Sequence, residues 1–221
     1  VGGVTPSAAG GAVVHHPRFA RLWVRIAAAM EGHGGAEHRD QLLAGISGRV
    51  VELGAGTGAN FAHYPAAVDE VLAVEPEPHL RDLAARAAER APVRVVVVDG
   101  SAEQVPAADG AFDAAVLSLV LCSVADQRAA LAEVRRVLRP GGRLHFWEHV
   151  RSAGAGARVQ DLLDRTVWPR IGGGCHTGRD TAAAMTDAGF RLERVERFRF
   201  PDSRVPSPTA PQILGTAVRE G

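Results

Sequence analysis

Two periodicities divide the chain. Between 17 and 30 the apolar residues Phe19, Leu22, Trp23, Ile26 and Met30 recur at helical spacing behind Pro17, a residue suited to a first helical turn. This pattern predicts an amphipathic helix over 17–30, followed by a short helix over 37–43 and a break at 45–48. Short apolar runs at 49–53, 70–74 and 94–98 then read as strands, and the longer run over 112–124 as a fourth strand that overruns its sheet into a loop. Further strands are expected over 143–147, 190–198 and 213–218. Helical patterns lie between them: from Pro76 and Pro78 to about 90, then over 127–138, 162–168 and 181–188. Gly172-Gly173-Gly174-Cys175-His176-Thr177-Gly178-Arg179 is expected to be a mobile loop.

The pattern is centred on the run over 49–61. Val50, Val51 and Leu53 suit a buried parallel strand, which passes Glu52 and ends in Gly54, Gly56 and Gly58. Alternating glycines let a backbone take positive φ and approach a ligand with no Cβ in the way. The dinucleotide fingerprint is G-x-G-x-x-G, whereas the spacing here is G-x-G-x-G, which disfavours a nicotinamide-dependent oxidoreductase. Glu75 closes the next strand near the offset at which Rossmann-like sheets place an acid on ribose hydroxyls. In doubly wound sheets the ligand lies beyond the strands' carboxyl ends, so Ser118 and Leu119 are expected beside it, with Cys122 near them or simply packed in the core.

Composition changes this picture little. At 221 residues the chain suits one α/β domain, and its net charge of +0 gives no electrostatic case for nucleic acid or an anionic membrane. Arg supplies every Lys/Arg position and Ala and Gly abound, which points to a GC-rich bacterial genome. Cys122 and Cys175 make no disulfide framework, so a reduced, cytoplasmic setting is expected. Residues 1–14 read as a flexible tail without signal-peptide character, and 15–221 as a single domain. The histidines are scattered without ligand spacing, so no metal site is expected.

The run following Glu52 resembles the first motif of class I methyltransferases that use S-adenosylmethionine (SAM), whose loop wraps the amino-acid part of SAM. Asp99-Gly100-Ser101-Ala102-Glu103 is similar to their adenine-binding motif, with Ser101 where many relatives carry an acid. Leu138-Arg139-Pro140-Gly141-Gly142 is common among them too. A narrower resemblance, spanning most of 49–180, is to the alkyl-thiol S-methyltransferases of the methyltransferase-like protein family. It is carried by 52–61 with Tyr64-Pro65, Leu119-Val120-Leu121-Cys122-Ser123-Val124, Glu148-His149-Val150, and Gly174-Cys175 followed by Arg179.

The resemblance implies a Rossmann-like class I methyltransferase fold: a seven-stranded, mostly parallel sheet closed by an antiparallel C-terminal hairpin. It implies SAM as cofactor, S-adenosylhomocysteine as product, and a small thiol as substrate. The residues expected to hold the cofactor are Glu52, Gly54, Gly56, Gly58, Asn60, Glu75, Pro76, Ser101, Ala102, Glu103, Ser118 and Leu119. Residues 17–45 are expected to form a helical lid. Trp23, Cys122, His149 and His176 are expected on the substrate side, with Trp23 alternatively plain core. His149, at a strand's end, is the leading proton acceptor, and His176 is the other candidate. An O- or N-methyltransferase of a metabolite or lipid head group, and a SAM-binding protein without turnover, stay open. Animal members carry a hydrophobic N-terminal membrane anchor with no counterpart in this sequence, so no membrane attachment is expected.

Overall fold

In a computed structural model that describes residues 16–202 and 207–221, one seven-stranded sheet carries the chain. The proposed tail over 1–14 lies outside the described residues. The strands are β1 (Gly48–Leu53), β2 (Val68–Val74), β3 (Val95–Val98), β4 (Phe112–Ser118), β5 (Leu138–His149), β6 (Phe190–Arg199) and β7 (Pro211–Arg219), in the spatial order β3-β2-β1-β4-β5-β7-β6. The first five are parallel, and β7 runs antiparallel between β5 and β6. This is the Rossmann-like α/β architecture expected.

Successive β1 side chains supply both faces, as a central parallel strand requires. Val51 and Leu53 pack with Leu117, Leu131 and Val134, the last two from α4 (Gln127–Val137). Val50 faces the opposite core with Val71, Val116, Ala84 of α3 (Pro78–Ala88) and Leu42 of α2 (Ala36–Leu42). Ahead of α2, α1 (Pro17–Met30) ends in a kinked turn, Glu31–Gly35, where Gly34 has φ 96°. α1 thereby reaches back over the carboxyl end of β1.

The fourth strand overruns into a loop as expected: β4 ends at Ser118, and the backbone turns sharply at Leu119. Two expectations need correction. β5 starts at Leu138, with Leu138 paired to Phe112 and Arg143 to Ala114; the Arg139-Pro140-Gly141-Gly142 segment is a bulge within the strand, not a stop before it. The helix expected over 162–168 is two helices, α5 (Ala155–Arg165) and α6 (Trp168–Ile171), since Pro169 suits a first turn and opens a new helix. α7 (Thr181–Asp187) follows, its first turn capped by Asp180, which accepts from the Ala183 N–H at 3.1 Å.

Candidate active site

The carboxyl ends of β3, β2, β1, β4 and β5 lie side by side in that order, so the loops leaving them form one rim. β1 passes directly into the glycine turn, where Gly54, Gly56 and Gly58 have φ of 63°, 59° and 77°. A Cβ on Gly54 would stand 2.7 Å from Val120 Cγ2, so this position needs glycine for both its φ and its space. Gly54→Ala is expected to cost about 2 kcal/mol of stability, as read by thermal melting; a wild-type melting temperature would show that the turn is not constrained as described.

Two buried carboxylates hold the turn. Glu52 accepts from Asn60 Nδ2 at 2.8 Å and from the Tyr64 hydroxyl at 2.7 Å. Burial pushes it up to about 7 against the pull of these two bonds and the charge of Arg39. Glu75, just past β2, accepts from the Gly56 N–H at 2.7 Å and the Glu77 N–H at 2.9 Å, and burial raises it despite both bonds. Arg39 of α2, unexpected from sequence, is buried with them. It donates through Nη1 to Asn60 Oδ1 at 2.6 Å and through Nε to Glu31 Oε1 at 2.8 Å, and its guanidinium carbon lies 5.5 Å from the centroid of Trp147.

A narrow cleft runs between these groups, lined by Trp23, Ala27, Arg39, Glu52, Gly54, Gly56, Asn60, Ser118 and Leu119, with Ala55, Thr57 and Ala59. Trp23 is thus a cleft residue: its Nε1 is 3.2 Å from where a Cβ on Gly56 would sit. The remaining expected cofactor residues lie outside this cleft. Gly58 packs beneath the turn, where a Cβ would meet Phe61 and Ala87. The Pro76 carbonyl accepts from Arg81 Nη1 at 3.0 Å. Ser101 turns back to Gln104, and Ala102 packs in the core against Val74 and Val105. The Glu103 carboxylate is committed to the entry to α4, accepting from the Ala125 N–H at 3.0 Å.

On the other side of the rim, Leu119 is the one non-glycine with positive φ among the described residues, at 61°. Such backbone strain persists only where the surroundings over-determine it. Here Leu119 donates to the Trp147 carbonyl at 2.7 Å, and Glu148 clamps the backbone of the next three residues. Glu148 Oε1 accepts from the N–H groups of Val120 and Leu121, each at 2.9 Å, and Oε2 from that of Cys122 at 3.2 Å. Burial pushes Glu148 up to about 7 against these three bonds.

The clamp delivers Cys122 to His149 and Cys175. Cys175 Sγ is 3.6 Å from His149 Nδ1, and the ligating atoms of Cys122, His149 and Cys175 all lie within 4.8 Å of one another. The hydrogen bond to Cys175 and burial push Cys122 up, whereas the hydrogen bond from Cys122 and the neighbouring His149 lower Cys175. His176, the second proton-acceptor candidate, does not join them. Its N–H donates to the Cys122 carbonyl at 2.7 Å and its Nδ1 to the Gly174 carbonyl at 2.8 Å, which makes it a tie within the loop.

The glycine-rich loop itself is not free, as expected, but packed. A Cβ on Gly173 would clash with the Phe19 ring of α1, and one on Gly174 would lie 2.9 Å from the Ser123 carbonyl oxygen. Asp164 accepts from the N–H groups of Thr177 and Gly178, each at 2.8 Å, and Gln160 donates to the Thr177 carbonyl at 2.9 Å. Sequence reasoning missed Arg39, Glu148 and Cys175 as site residues. Only the motif fragments Glu148-His149-Val150 and Gly174-Cys175 pointed to the last two.

Known proteins resemble this chain in sequence and in fold. A methyltransferase-domain family model matches residues 51–146. The thiol S-methyltransferase TMT1B of Homo sapiens is 41% identical over 80% of this chain and 74% of its own length. The thiol S-methyltransferase TMT1A of Homo sapiens is 36% identical over 81% of this chain and 75% of its own. Among solved structures, a SAM-dependent methyltransferase of Thermotoga maritima superposes with a TM-score of 0.66 at 23% identity, covering 91% of this chain and 98% of that one. The geranyl diphosphate C-methyltransferase of Streptomyces coelicolor, solved with S-adenosyl-L-homocysteine, has a TM-score of 0.65 at 18% identity over 84% of this chain and 77% of its own. These two likenesses bear on the fold alone.

Proposed function

This chain belongs to the methyltransferase family that includes the thiol S-methyltransferases TMT1A and TMT1B, and from that premise we propose that its methyl acceptor is the sulfur of a small thiol. The protein is a SAM-dependent methyltransferase. The observation that carries the acceptor reading is the convergence of two cysteines and one histidine past β4 and β5, with Cys122 three residues beyond the cleft residue Leu119.

The residues of the cleft fit the donor. Arg39 and Glu52 are buried opposite charges joined through Asn60, an arrangement complementary to the carboxylate and ammonium of an amino acid. Glu75, already aimed at Gly56, is the acid for the ribose hydroxyls, and Ala102 and Ser101 flank the adenine side. When bound, SAM supplies an electrophilic methyl on a sulfonium sulfur. The protein's task is to align the acceptor behind that methyl and to exclude water. Trp23 and α1 cover the cleft, and Phe19 of α1 packs on Gly173 of the acceptor-side loop, so one helix closes both halves.

A thiol with an ordinary pKa near ~8.5 needs only modest help to ionise. His149 Nδ1 is engaged with Cys175, which leaves Nε2 to take the acceptor's proton. The free, closely spaced Cys122 and Cys175 suit a reducing, cytoplasmic setting. Among the described residues no helix is long and apolar enough to cross a membrane.

The test is turnover of SAM with a simple alkyl thiol, a phenol and an amine. Methylation of the thiol alone is expected; product from the phenol or amine at equal rate would overturn the reading. His149→Ala is expected to lower kcat by about tenfold or more while leaving SAM affinity within about twofold. An unchanged kcat would remove His149 as proton acceptor.

A further inference from the structure

We propose that Cys122, Cys175 and His149 form a binding site for a soft divalent cation, zinc(II) above all, with its fourth position open towards the acceptor. The expectation of no metal centre rested on histidine spacing along the chain. Folding instead brings together three donors from three separated segments: the loop after β4, the last residue of β5, and the glycine-rich loop.

One edge of the cluster already has the length of a tetrahedral site. Zinc binds thiolate at about 2.3 Å and imidazole at about 2.0–2.1 Å, so a tetrahedral S–Zn–N angle places sulfur and nitrogen about 3.6 Å apart. Cys175 Sγ and His149 Nδ1 are 3.6 Å apart, and Cys122 Sγ completes a group whose members all lie within 4.8 Å. Two thiolates and a neutral imidazole balance the cation's two charges, the combination a dry pocket favours. Two thiols plus a thiophilic cation select zinc over magnesium or calcium, which take oxygen donors.

The donors are held by their backbones. Glu148 fixes Cys122 through its N–H, and the His176 N–H ties the Cys175 loop to the Cys122 carbonyl at 2.7 Å. Gly172 lets this loop fold closely: its Cβ position lies 3.4 Å from Cys175 Cβ and 3.2 Å from Trp168 Nε1, a buried indole N–H that helps to lower the Cys175 thiol. That N–H is placed to donate to a ligating sulfur. Binding one cation displaces the two thiol protons, M²⁺ + 2 RSH + His → M(SR)₂(His) + 2 H⁺, with no change of oxidation state.

Three protein ligands and an open position are the pattern of catalytic zinc. On the reading that the substrate is a thiol, its sulfur would take that fourth position as thiolate and release its proton to solvent; His149, ligating through Nδ1, carries its own proton on Nε2, so in the loaded protein the cation replaces it as the group that ionises the acceptor.

The experiment uses the full chain, stripped with a chelator and titrated with cobalt(II) as spectroscopic probe and zinc(II) in competition. One cobalt per chain is expected, with the intense visible bands of tetrahedral cobalt and a near-ultraviolet thiolate charge-transfer band. Cys175→Ser, Cys175→Ala and Cys122→Ser, each checked for native circular dichroism, should weaken binding at least tenfold. Adding a simple alkyl thiol should shift the visible bands. No tetrahedral thiolate spectrum in the folded wild type, or one unchanged in both Cys175 variants, overturns the proposal. Thiol methylation that persists undiminished with that negative result would overturn the metal site and leave the thiol reading standing. A sound cobalt spectrum without thiol methylation would do the reverse.

Discussion

Glu148→Ala is expected to cost about 3–5 kcal/mol of stability, the largest effect of any single substitution at this site. The fully buried carboxylate is the common acceptor for three consecutive backbone N–H groups, those of Val120, Leu121 and Cys122. Each buried donor left without a partner costs about 1–3 kcal/mol, and a methyl group cannot replace the lost oxygens. For a domain of this size the loss corresponds to a melting-temperature decrease of roughly 10 °C or more. Glu148→Gln separates this clamp from mere volume. Its amide oxygen can keep the Val120 and Leu121 bonds, while its amino group meets the Cys122 N–H as donor against donor, so a smaller loss is expected, about 1–2 kcal/mol. Equal losses in the two variants, or a loss below about 1 kcal/mol in Glu148→Ala, would show that Glu148 is not what holds this loop.

The clamp also explains why part of the site was legible in the sequence and part was not. The glycine turn and Glu75 could be read because their constraints are local: a backbone needing positive φ and an acid at a strand's end leave marks within a few residues. The same holds for most strands, whose apolar runs bury both faces. Arg39 leaves no such mark. Its burial depends on Asn60 and Glu31 as partners and on the Trp147 ring, which come from separate elements. Cys175 is similar, since a cysteine among glycines gains chemistry only when the loop packs between Phe19 and Ser123 and meets Cys122 and His149. The apolar run over 112–124 outlasts its strand for a physical reason. Val120 and Leu121 are buried beyond the strand because Glu148, not a neighbouring strand, satisfies their N–H groups, so burial continued after β4 had ended.

SAM affinity is expected to rise about a hundredfold between pH 5 and 7 and to fall again above about 8, and Glu52→Gln should abolish the rising limb. Glu52 is the cleft-lining group raised to about 7 by burial in the free protein, whereas Glu148, also pushed up to about 7, lies outside the cleft lining. The groups facing it are Tyr64 and Asn60 as donors, Arg39 as a cation, and Glu75 as a like charge that raises it further. A ligand ammonium placed here favours the carboxylate, so binding lowers the Glu52 pKa and releases a proton. Affinity therefore climbs tenfold per unit while the free protein holds that proton, and levels once the pH passes 7. The descending limb belongs to the ligand, whose α-amino group loses its charge near ~8. Stability of the free protein runs the opposite way. A carboxyl whose folded pKa is raised above its unfolded value adds stability that is complete below the unfolded value and is lost as pH rises through 7. The free fold should thus loosen over the interval in which the cofactor binds more tightly. Calorimetric titrations at a series of pH values, repeated in buffers of different ionisation enthalpy, report the affinity and the proton count together. A flat profile with no proton released would mean that the ammonium does not meet Glu52, and would move the amino-acid end of the cofactor elsewhere in the cleft.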